Sequence, residues 1–321
     1  MNTQTLLQSW LPAAGLAQAQ KSVDWLLVDL IEAGDQWIVS GPPKSGKSMF
    51  ALSMALKISK GERFIGYECP TPKTVLYFDL ELKDRVFWSR ALRMVNNDFK
   101  DLCEDRNLVR PTGLGAMDIF HADDVDKINT AVNMVKPDLI IWDVLSRLHR
   151  CEENDNGAMK KVLQRIRELS EKSAHIIVHH SRKNNVYGNA DAQSMRGAGS
   201  IHGEVDGAIT LTPKGTDTCN MSISARAIPA QKDRLLEWDE SLNIVLPKAI
   251  PENDLTAILD RCLIQGEKLS SGELSVCIQN MVGCEDRQAK RIIAEARRLK
   301  LITGSKVGRR VYYEITKSQN T

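Results

Sequence analysis

The sequence lacks the features that mark membrane, secreted and disulfide-rich proteins. No apolar run approaches the length of about 20 residues that a membrane-spanning helix needs, so we expect no membrane partner. Residues 1–20 contain no charged segment followed by an apolar core, which argues against a signal peptide and favours a cytoplasmic location. The seven cysteines are scattered and contain no C-x-x-C pair, as is typical of free thiols rather than a disulfide or zinc framework.

Aromatic residues are scarce, at 5%, but the 42% hydrophobic and 26% charged residues are ordinary for a soluble globular protein. A chain of 321 residues has room for about two domains. Pro247 and Pro251 bracket a segment that we interpret as a linker. We therefore expect domains at 1–247 and 252–321.

The most informative segment is a loop that matches G-x-x-x-x-G-K-[ST] in full. It consists of Gly41, Pro42, Pro43, Lys44, Ser45, Gly46, Lys47 and Ser48. The pattern predicts a strand before this loop and a helix after it. Such a loop turns backbone N–H groups toward phosphates, and the helix N-terminus adds partial positive charge. The sequence therefore predicts an ATP site in which Lys47 contacts the β- and γ-phosphates and the Ser48 hydroxyl binds Mg²⁺.

Two further carboxylates follow strand-like runs. Asp143 ends the apolar run 138–143, where it can help to hold Mg²⁺. Glu81 follows the apolar run that starts at Val75, where a carboxylate can orient or deprotonate the attacking water. Asp79 competes with Glu81 for that role, and a helix-capping or solvated glutamate is the structural alternative.

Strand-like runs alternate with amphipathic helical segments along the first domain, which predicts an α/β fold with a mostly parallel central sheet. The predicted strands cover 36–40, 74–79, 107–110, 138–143, 174–179, 206–212, 219–225 and 234–246. Residues 1–35 are expected to form a helical lead-in. Residues 181–204 are polar and lack periodicity, which is typical of a functional or mobile loop.

Together these motifs resemble RecA-type hexameric ATPases, in particular the plasmid RepA-type branch, which is related to DnaB replicative helicases. The stretches that carry the resemblance are 40–48, 78–81, 139–143, 179–183 and 196–206, within a match over about residues 20–245. The resemblance implies a RecA-like P-loop fold, Mg²⁺-dependent ATP hydrolysis and a homo-oligomer such as a hexamer. It also implies an active site that contains Lys47, Glu81, Asp143 and His179 or His180.

The sequence leaves the roles of the histidine pair and of Arg226 open. One imidazole of His179 and His180 is expected to sense the γ-phosphate, and the alternative is a core histidine beside a surface histidine. The resemblance implies that Arg226 acts as an arginine finger on the nucleotide of a neighbouring subunit. Lys232 and Arg234 compete for that role, and Arg226 can equally be an ordinary surface residue.

Two loops contain basic residues that could follow a single DNA strand. One begins at Ser146 and includes Arg147 and Arg150. The other contains Arg182, Lys183, Tyr187 and Arg196. Basic side chains with an interspersed aromatic can contact the phosphate backbone and stack a base. A solvated surface loop explains the same composition.

The last segment predicts three helices at 255–265, 271–280 and 286–300, followed by a hairpin, which resembles a winged helix-turn-helix. Between residues 287 and 317 there are ten Lys or Arg and two acids, so duplex DNA is the expected partner. Four residues of the third helix are expected to face the core: Ile292, Ile293, Ala296 and Leu299. Basic residues expected to face DNA are Arg287, Lys290, Arg291 and Arg298 on the helix, with Lys306, Arg309 and Arg310 on the wing. A protein-docking role is the alternative.

Three functions are compatible with this sequence. The first is an ATP-driven, helicase-like ring motor in the replication of a plasmid, phage or mobile element. The second is an ATP-gated switch bound to DNA, acting in regulation, recombination or defence without unwinding. The third, a small-molecule phosphotransferase, lacks an Arg-rich lid after Asp143 and does not explain the position of Glu81.

Overall fold

The structure is a computed structural model and describes residues 22–153, 155–180, 203–214, 217–246, 255–263, 268–282, 284–308 and 310–316. The described chain begins with a small antiparallel pair, β1 (Trp25–Leu27) and β2 (Ile31–Glu32). The prediction of a helical lead-in is therefore wrong for residues 22–35. Asp29 takes the left-handed conformation, with φ of 60°, and reverses the chain between the two strands.

A nine-stranded sheet forms the centre of the protein. Its strands are β3 (Gln36–Gly41), β4 (Val75–Asp79), β5 (Leu108–Val109), β6 (Leu139–Asp143), β7 (Ala174–His180), β8 (Gly207–Pro213), β9 (Thr218–Ala225), β10 (Arg234–Trp238) and β11 (Ile244–Val245). They are ordered β11-β10-β9-β8-β3-β7-β6-β4-β5. The six strands from β8 to β5 are parallel, and the other three are antiparallel to their neighbours. The predicted α/β class is confirmed.

Helices cover both faces of this sheet. They are α1 (Lys47–Lys60), α2 (Asp84–Met94), α3 (Phe99–Glu104), α4 (Ala122–Val135) and α5 (Asn156–Leu169), with a 3₁₀ turn at Leu145–Arg147. Alternate residues of each strand enter different cores: Ile176 and Val178 pack with α1 and α2, whereas Ile177 packs with α4 and α5. Because both faces are covered, the central strands read as continuous apolar runs in the sequence.

The parallel arrangement places the carboxyl ends of four strands at one edge of the sheet. Asp79 lies opposite Asp143 in the pairing of β4 with β6, and Gly41 lies opposite His180 in the pairing of β3 with β7. Ligands of open parallel sheets bind outside this edge. The topology therefore brings together the phosphate loop and the acidic motifs, which are far apart in the sequence.

The predicted strand 234–246 is interrupted, because a turn separates β10 from β11. The Asp239 side chain accepts hydrogen bonds from the backbone N–H of Ser241 (2.9 Å) and Asn243 (2.8 Å). Leu242 takes a left-handed φ of 67°. A side chain that satisfies the backbone two and four residues ahead favours a turn over a continuous strand.

The described part of residues 255–316, called here the C-terminal unit, forms three helices and a small antiparallel sheet. The elements are α6 (Leu255–Cys262), α7 (Ser271–Val282), α8 (Asp286–Arg298), β12 (Leu269–Ser270), β13 (Ile302–Val307) and β14 (Arg310–Ile315), with the strand order β12-β14-β13. Ile292, Ile293 and Ala296 are buried in its core. The expectation for Leu299 is wrong, because α8 ends at Arg298 and the Leu299 side chain is 49% exposed.

The C-terminal unit packs against β10 of the large sheet. Leu235 joins the core of the unit, and Arg261 Nη1 lies 3.3 Å from Glu237 Oε2. A cavity of about 440 Å³ remains between β9, β10 and the helices α6 and α7. Among the described helices, none combines the length and apolarity needed to cross a membrane.

Candidate active site

The phosphate loop connects β3 to α1 in a shape that requires both of its glycines. Gly46 caps α1 with a left-handed φ of 82°, and a Cβ there would lie 2.1 Å from the Trp238 ring. A Cβ at Gly41 would lie 2.4 Å from the Leu211 carbonyl oxygen on β8. Left-handed backbone and close contact both favour glycine. The loop is thus contacted by residues of β8 and β10, and α1 begins with its N-terminus at the loop.

Lys47 lies inside this loop. Its ammonium donates hydrogen bonds to the carbonyl oxygens of Gly41 (3.0 Å) and Pro42 (2.8 Å). Burial lowers the pKa of Lys47 to about 8, while the nearby carboxylates of Asp143 and Glu81 act in the opposite direction. A buried cation at a helix N-terminus is suited to binding the polyphosphate of a nucleotide.

Asp143 ends β6 beside the first turn of α1. Ser48 Oγ donates to its Oδ1 (3.1 Å) and the Tyr77 hydroxyl donates to its Oδ2 (2.8 Å). Burial raises the pKa of Asp143 to about 6, although both hydrogen bonds oppose the rise. A carboxylate and a hydroxyl oxygen are hard donors of the kind Mg²⁺ prefers, and a cation would offset the cost of burying the charge. These residues therefore fit Mg²⁺.

Tyr77 is a residue that the sequence patterns did not single out. Its side chain is fully buried, and the pKa of its hydroxyl is raised well above the ordinary value by burial and by Asp143. The hydroxyl therefore remains a proton donor to the carboxylate. Tyr77 lies two residues before Asp79 on β4, so the alternation of side chains along a strand places both on the same face. That alternation was the sequence signal that could have identified Tyr77.

Asp79 and Glu81 occupy different environments. Asp79 is buried, and its Oδ1 accepts hydrogen bonds from the backbone N–H of Glu81 (3.0 Å) and Leu82 (2.8 Å). Glu81 is exposed at the sheet edge, and its Oε1 lies 3.9 Å from Arg147 Nε. Asp79 thus shapes the turn that presents Glu81. This geometry favours Glu81 over Asp79 as the residue that faces substrate.

Arg110 is a second residue that sequence reasoning missed. Its buried guanidinium bonds Asp84 Oδ1 (2.5 Å) and the Leu82 carbonyl oxygen (3.0 Å), and lies 3.9 Å from Asp79 Oδ2. It also stacks on Phe87 at 4.7 Å. Arg110 therefore fixes the turn before and after Glu81. An arginine closing the apolar run 107–110 was the only sequence signal.

His180, rather than His179, lies on the same face as the phosphate loop. Ile176 and Val178 pack on the α1 face, so by the alternation of a strand His180 shares that face and His179 the other. His179 is buried. The pKa of His180 is lowered by burial and by Lys47, which indicates that its imidazole lies near the lysine.

Arg226 lies at the opposite end of the sheet from the phosphate loop of its own chain. Its backbone N–H donates to the Asp206 carbonyl oxygen (3.0 Å), and Asp206 Oδ2 accepts from the N–H of Gln36, the first residue of β3 (2.8 Å). Any contact of Arg226 with nucleotide must therefore be made to another copy of the chain. Its competitor Arg234 bonds the Ile65 carbonyl oxygen (3.1 Å) and stacks on Tyr67 at 4.4 Å.

One known family covers both the phosphate loop and the acidic motifs of this chain. The AAA_25 family, described as an AAA domain, matches residues 2–186, more than half of the chain. The chain belongs to this family. It is an ATP-hydrolysing P-loop enzyme with an α/β fold built on a mostly parallel central sheet, as the sequence predicted.

Two solved structures are similar to this chain at low identity. The ATPase domain of another protein is 15% identical, with a TM-score of 0.48, and the match covers 67% of this chain and 85% of that one. The RadB recombinase is 15% identical, with a TM-score of 0.45, and the match covers 67% of this chain and 92% of that one. No curated protein matches the sequence significantly.

The two loops predicted to contact single-stranded DNA differ in what can be described. Arg182, Lys183, Tyr187 and Arg196 lie outside the described residues, as does Arg309 of the predicted wing. In the loop after β6, Leu145 and Leu148 are buried anchors, and Arg150 lies 3.4 Å from Asp118. Arg147 of that loop lies next to Glu81, so this loop directly contacts the residue that is the candidate general base for ATP hydrolysis.

The C-terminal unit presents a basic surface on α8. Its predicted DNA-facing residues are all exposed where described: Arg287, Lys290, Arg291, Arg298, Lys306 and Arg310. Lys290 pairs with Asp286 (2.6 Å) and Arg298 with Glu295 (2.5 Å), whereas Arg287 and Arg291 have no ion-pair partner among the described residues. Arg297, which the sequence reasoning did not select, lines an open groove of about 600 Å³ with Lys290, Arg298 and Tyr313.

Proposed function

We propose that this ATPase is a helicase-like ring motor that acts on DNA in the replication of a plasmid, phage or mobile element. The observation that supports the proposal is the joint placement of Lys47, the Ser48–Asp143 pair and Glu81 at one sheet edge. The basic face of α8 on the same chain supports DNA as the partner. The roles of the individual residues belong to the same proposal.

In the proposed mechanism the phosphate loop binds the polyphosphate of ATP, and Lys47 neutralises charge on the β- and γ-phosphates. Ser48 and Asp143 would hold Mg²⁺, and the metal would neutralise negative charge on the phosphates. Tyr77 keeps Asp143 oriented by donating to the oxygen that Ser48 does not contact. Glu81 orients the attacking water and accepts its proton.

Communication with DNA is proposed to run through residues next to the γ-phosphate position. Arg147 connects Glu81 to the loop after β6. His180 is the last residue of β7 and directly precedes the loop with Arg182, Lys183 and Arg196. The surroundings of Arg147 and of His180 can both change when the γ-phosphate is lost. Such a change would move the adjoining loop and the DNA strand that it contacts. Arg226 is proposed to complete the site of a neighbouring copy in a homo-oligomer, for which a hexamer is the form implied by the resemblance.

The C-terminal unit is proposed to be a winged helix-turn-helix that binds duplex DNA. Arg287, Arg291 and Arg298 lie along the exposed side of α8, opposite the buried Ile292 and Ala296. Exposed arginines on the outer face of a helix can enter a major groove and contact phosphates. Arg310 begins β14, at the position of the wing.

A second candidate is an ATP-gated switch that binds DNA without unwinding it. It is favoured by the basic surface of the C-terminal unit, because duplex binding by that unit does not require a motor. Strand displacement on a forked duplex in the presence of Mg²⁺ and ATP distinguishes the two functions. The motor predicts displaced strand that depends on ATP hydrolysis. Duplex binding that responds to ATP, with no displacement on either fork polarity, would instead establish the switch.

A further inference from the structure

Trp238 at the end of β10 makes an unusual contact with the phosphate loop. A Cβ built on Gly46 would lie 2.1 Å from Trp238 Cζ2 and 2.9 Å from Cη2, so the indole lies directly on the backbone of Gly46. Gly46 is the N-cap of α1 and precedes Lys47. The ring therefore touches the point where the loop turns into the helix.

The loop conformation needs support at this point. Lys44 and Gly46 both take left-handed backbone conformations, with φ of 64° and 82°. For the non-glycine residue Lys44 this conformation persists only when the surrounding structure holds it, and the flexible backbone of Gly46 keeps one conformation only where its contacts select it. Leu211 of β8 contacts the loop at Gly41, and Trp238 of β10 contacts it at Gly46, so both contacts come from strands on the same side of β3.

Strand β10 is itself held from both sides, which makes Trp238 a firm support. Leu236 packs in the core with α1, and Trp238 packs against the same core. On the other face Leu235 enters the core of the C-terminal unit, and Glu237 pairs with Arg261 of α6 at 3.3 Å. Alternate residues of one strand thus contact the phosphate loop side and the C-terminal unit.

We propose that Trp238 is a positioning residue for ATP binding, whose indole holds the phosphate loop in its binding shape. This rests on the assignment of residues 41–48 as the phosphate-binding loop. Backbone N–H groups bind phosphates well only when they converge before the ligand arrives, because ordering them on binding reduces affinity. The loop contacts phosphates in the ground state and in the transition state alike. Loss of the indole therefore raises the KM for ATP more than it lowers kcat.

The first test compares steady-state ATP kinetics of Trp238→Ala, Trp238→Phe and Trp88→Phe in the full-length chain. Trp88 is a matched control, because it is also partly buried against the same core but lies on α2. We expect Trp238→Ala to raise KM about tenfold with kcat within about threefold, and Trp238→Phe to recover most of the loss. Trp88→Phe should leave KM unchanged. Should Trp238→Ala unfold, Trp238→Leu carries the same expectation.

The second test uses the clash expected between a Cβ introduced at position 46 and the Trp238 ring. Gly46→Ala should weaken ATP binding strongly, and combining it with Trp238→Ala should restore part of the binding, because the ring that the new Cβ meets is removed. Left-handed strain at position 46 remains in both backgrounds, so the recovery is partial. A KM for Trp238→Ala within about twofold of the unchanged protein, or equal damage by Gly46→Ala in both backgrounds, would overturn the proposal. Absence of ATP binding by the unchanged protein would overturn the loop assignment as well.

Discussion

The carboxyl edge of the large sheet and the C-terminal unit use charged residues in opposite ways. At the sheet edge Lys47 and Asp143 are buried, with 3% of each residue exposed, and each is held by two or more hydrogen bonds. On α8 of the C-terminal unit Arg287 and Arg291 are exposed and have no ion-pair partner among the described residues. The first arrangement fixes single atoms in place, and the second leaves charge free in solvent.

This difference reflects what each region is suited to do. Burial strengthens electrostatic interactions and avoids reorganisation during a reaction, as phosphoryl transfer requires. Exposed cations interact with a polyanion over a distance and are screened by salt. Changes at the sheet edge should therefore cause large losses that depend little on salt. Changes on α8 should cause graded losses that depend strongly on salt.

The largest effect is expected for Lys47→Ala. Removing the ammonium takes away the buried cation, so we expect ATP turnover to fall by about 1,000-fold or more. Lys57→Ala is the matched control, because Lys57 lies in the last turn of α1 and pairs with Glu62 on the surface. Turnover measured at two salt concentrations should show the same deficit at both. Substantial turnover in Lys47→Ala would remove the basis of the proposed site.

Glu81→Gln should separate binding from hydrolysis. The amide keeps the size of the side chain but accepts no proton, so we expect turnover to fall by about 100-fold or more while ATP still binds. Glu62→Gln is the control for an exposed carboxylate outside the site. Calorimetry with Mg²⁺ and ATP, together with phosphate release, measures the two properties. Normal hydrolysis by Glu81→Gln would show that another group activates the water.

The sequence predicted which segments meet at the carboxyl edge of the sheet, because these segments can be recognised from short local patterns. The phosphate loop fixes its own strand and helix, and an apolar run ending in Asp143 carries the second motif to the same edge by parallel topology. Tyr77 and Arg110 escaped notice because their partners are distant in sequence. Tyr77 contacts Asp143 across 66 residues, and Arg110 contacts Asp84 across 26.

The predictions that were wrong can each be explained by a feature of the local backbone. In residues 22–35 an apolar run resembled a helix, but left-handed Asp29 reverses the chain and pairs two short strands. The run 234–246 contained the polar turn at Asp239, which outweighs the strand propensity around it. Leu299 fell at helical spacing one residue beyond the end of α8, where the helix no longer directs it to the core.

On the C-terminal unit we predict that Arg287→Glu with Arg291→Glu weakens duplex binding by about 100-fold at low salt and reduces the salt slope of log K by about 2. The double variant Arg106→Glu with Lys172→Glu changes charge equally at exposed sites outside the unit, before β5 and before β7. Fluorescence anisotropy over a salt series checks both. ATP turnover without DNA should stay unchanged in each. Equal binding by the two double variants would argue that another surface contacts DNA.

A final prediction contrasts the two regions by pH, since the C-terminal unit contains no histidine. Trp142 Nε1 donates to His175 Nδ1 (3.1 Å), and the Ser170 carbonyl oxygen lies 2.9 Å from its Nε2. A carbonyl oxygen can only accept, so the neutral ring with its proton on Nε2 satisfies both contacts. Burial lowers the pKa of His175 from 6.5 to about 4, although its contact with the Ser170 carbonyl opposes the shift. A proton on Nδ1 would also lie against the N–H of Trp142.

The folded pKa lies below the unfolded value, so the unfolded chain binds a proton first as pH falls below 6.5. Stability is therefore complete above pH 6.5 and declines toward pH 4, by about 2 kcal/mol at pH 5. His175→Gln offers an acceptor to Trp142 and a donor to Ser170 but does not titrate in this range. Urea unfolding at pH 7 and pH 5 measures the free energy of unfolding of both proteins. Between these pH values it should fall by about 2 kcal/mol more for the unchanged protein than for the variant. Equal drops would mean that His175 has the same pKa in the folded and unfolded chains. Its burial would then not contribute to the loss of stability at acid pH.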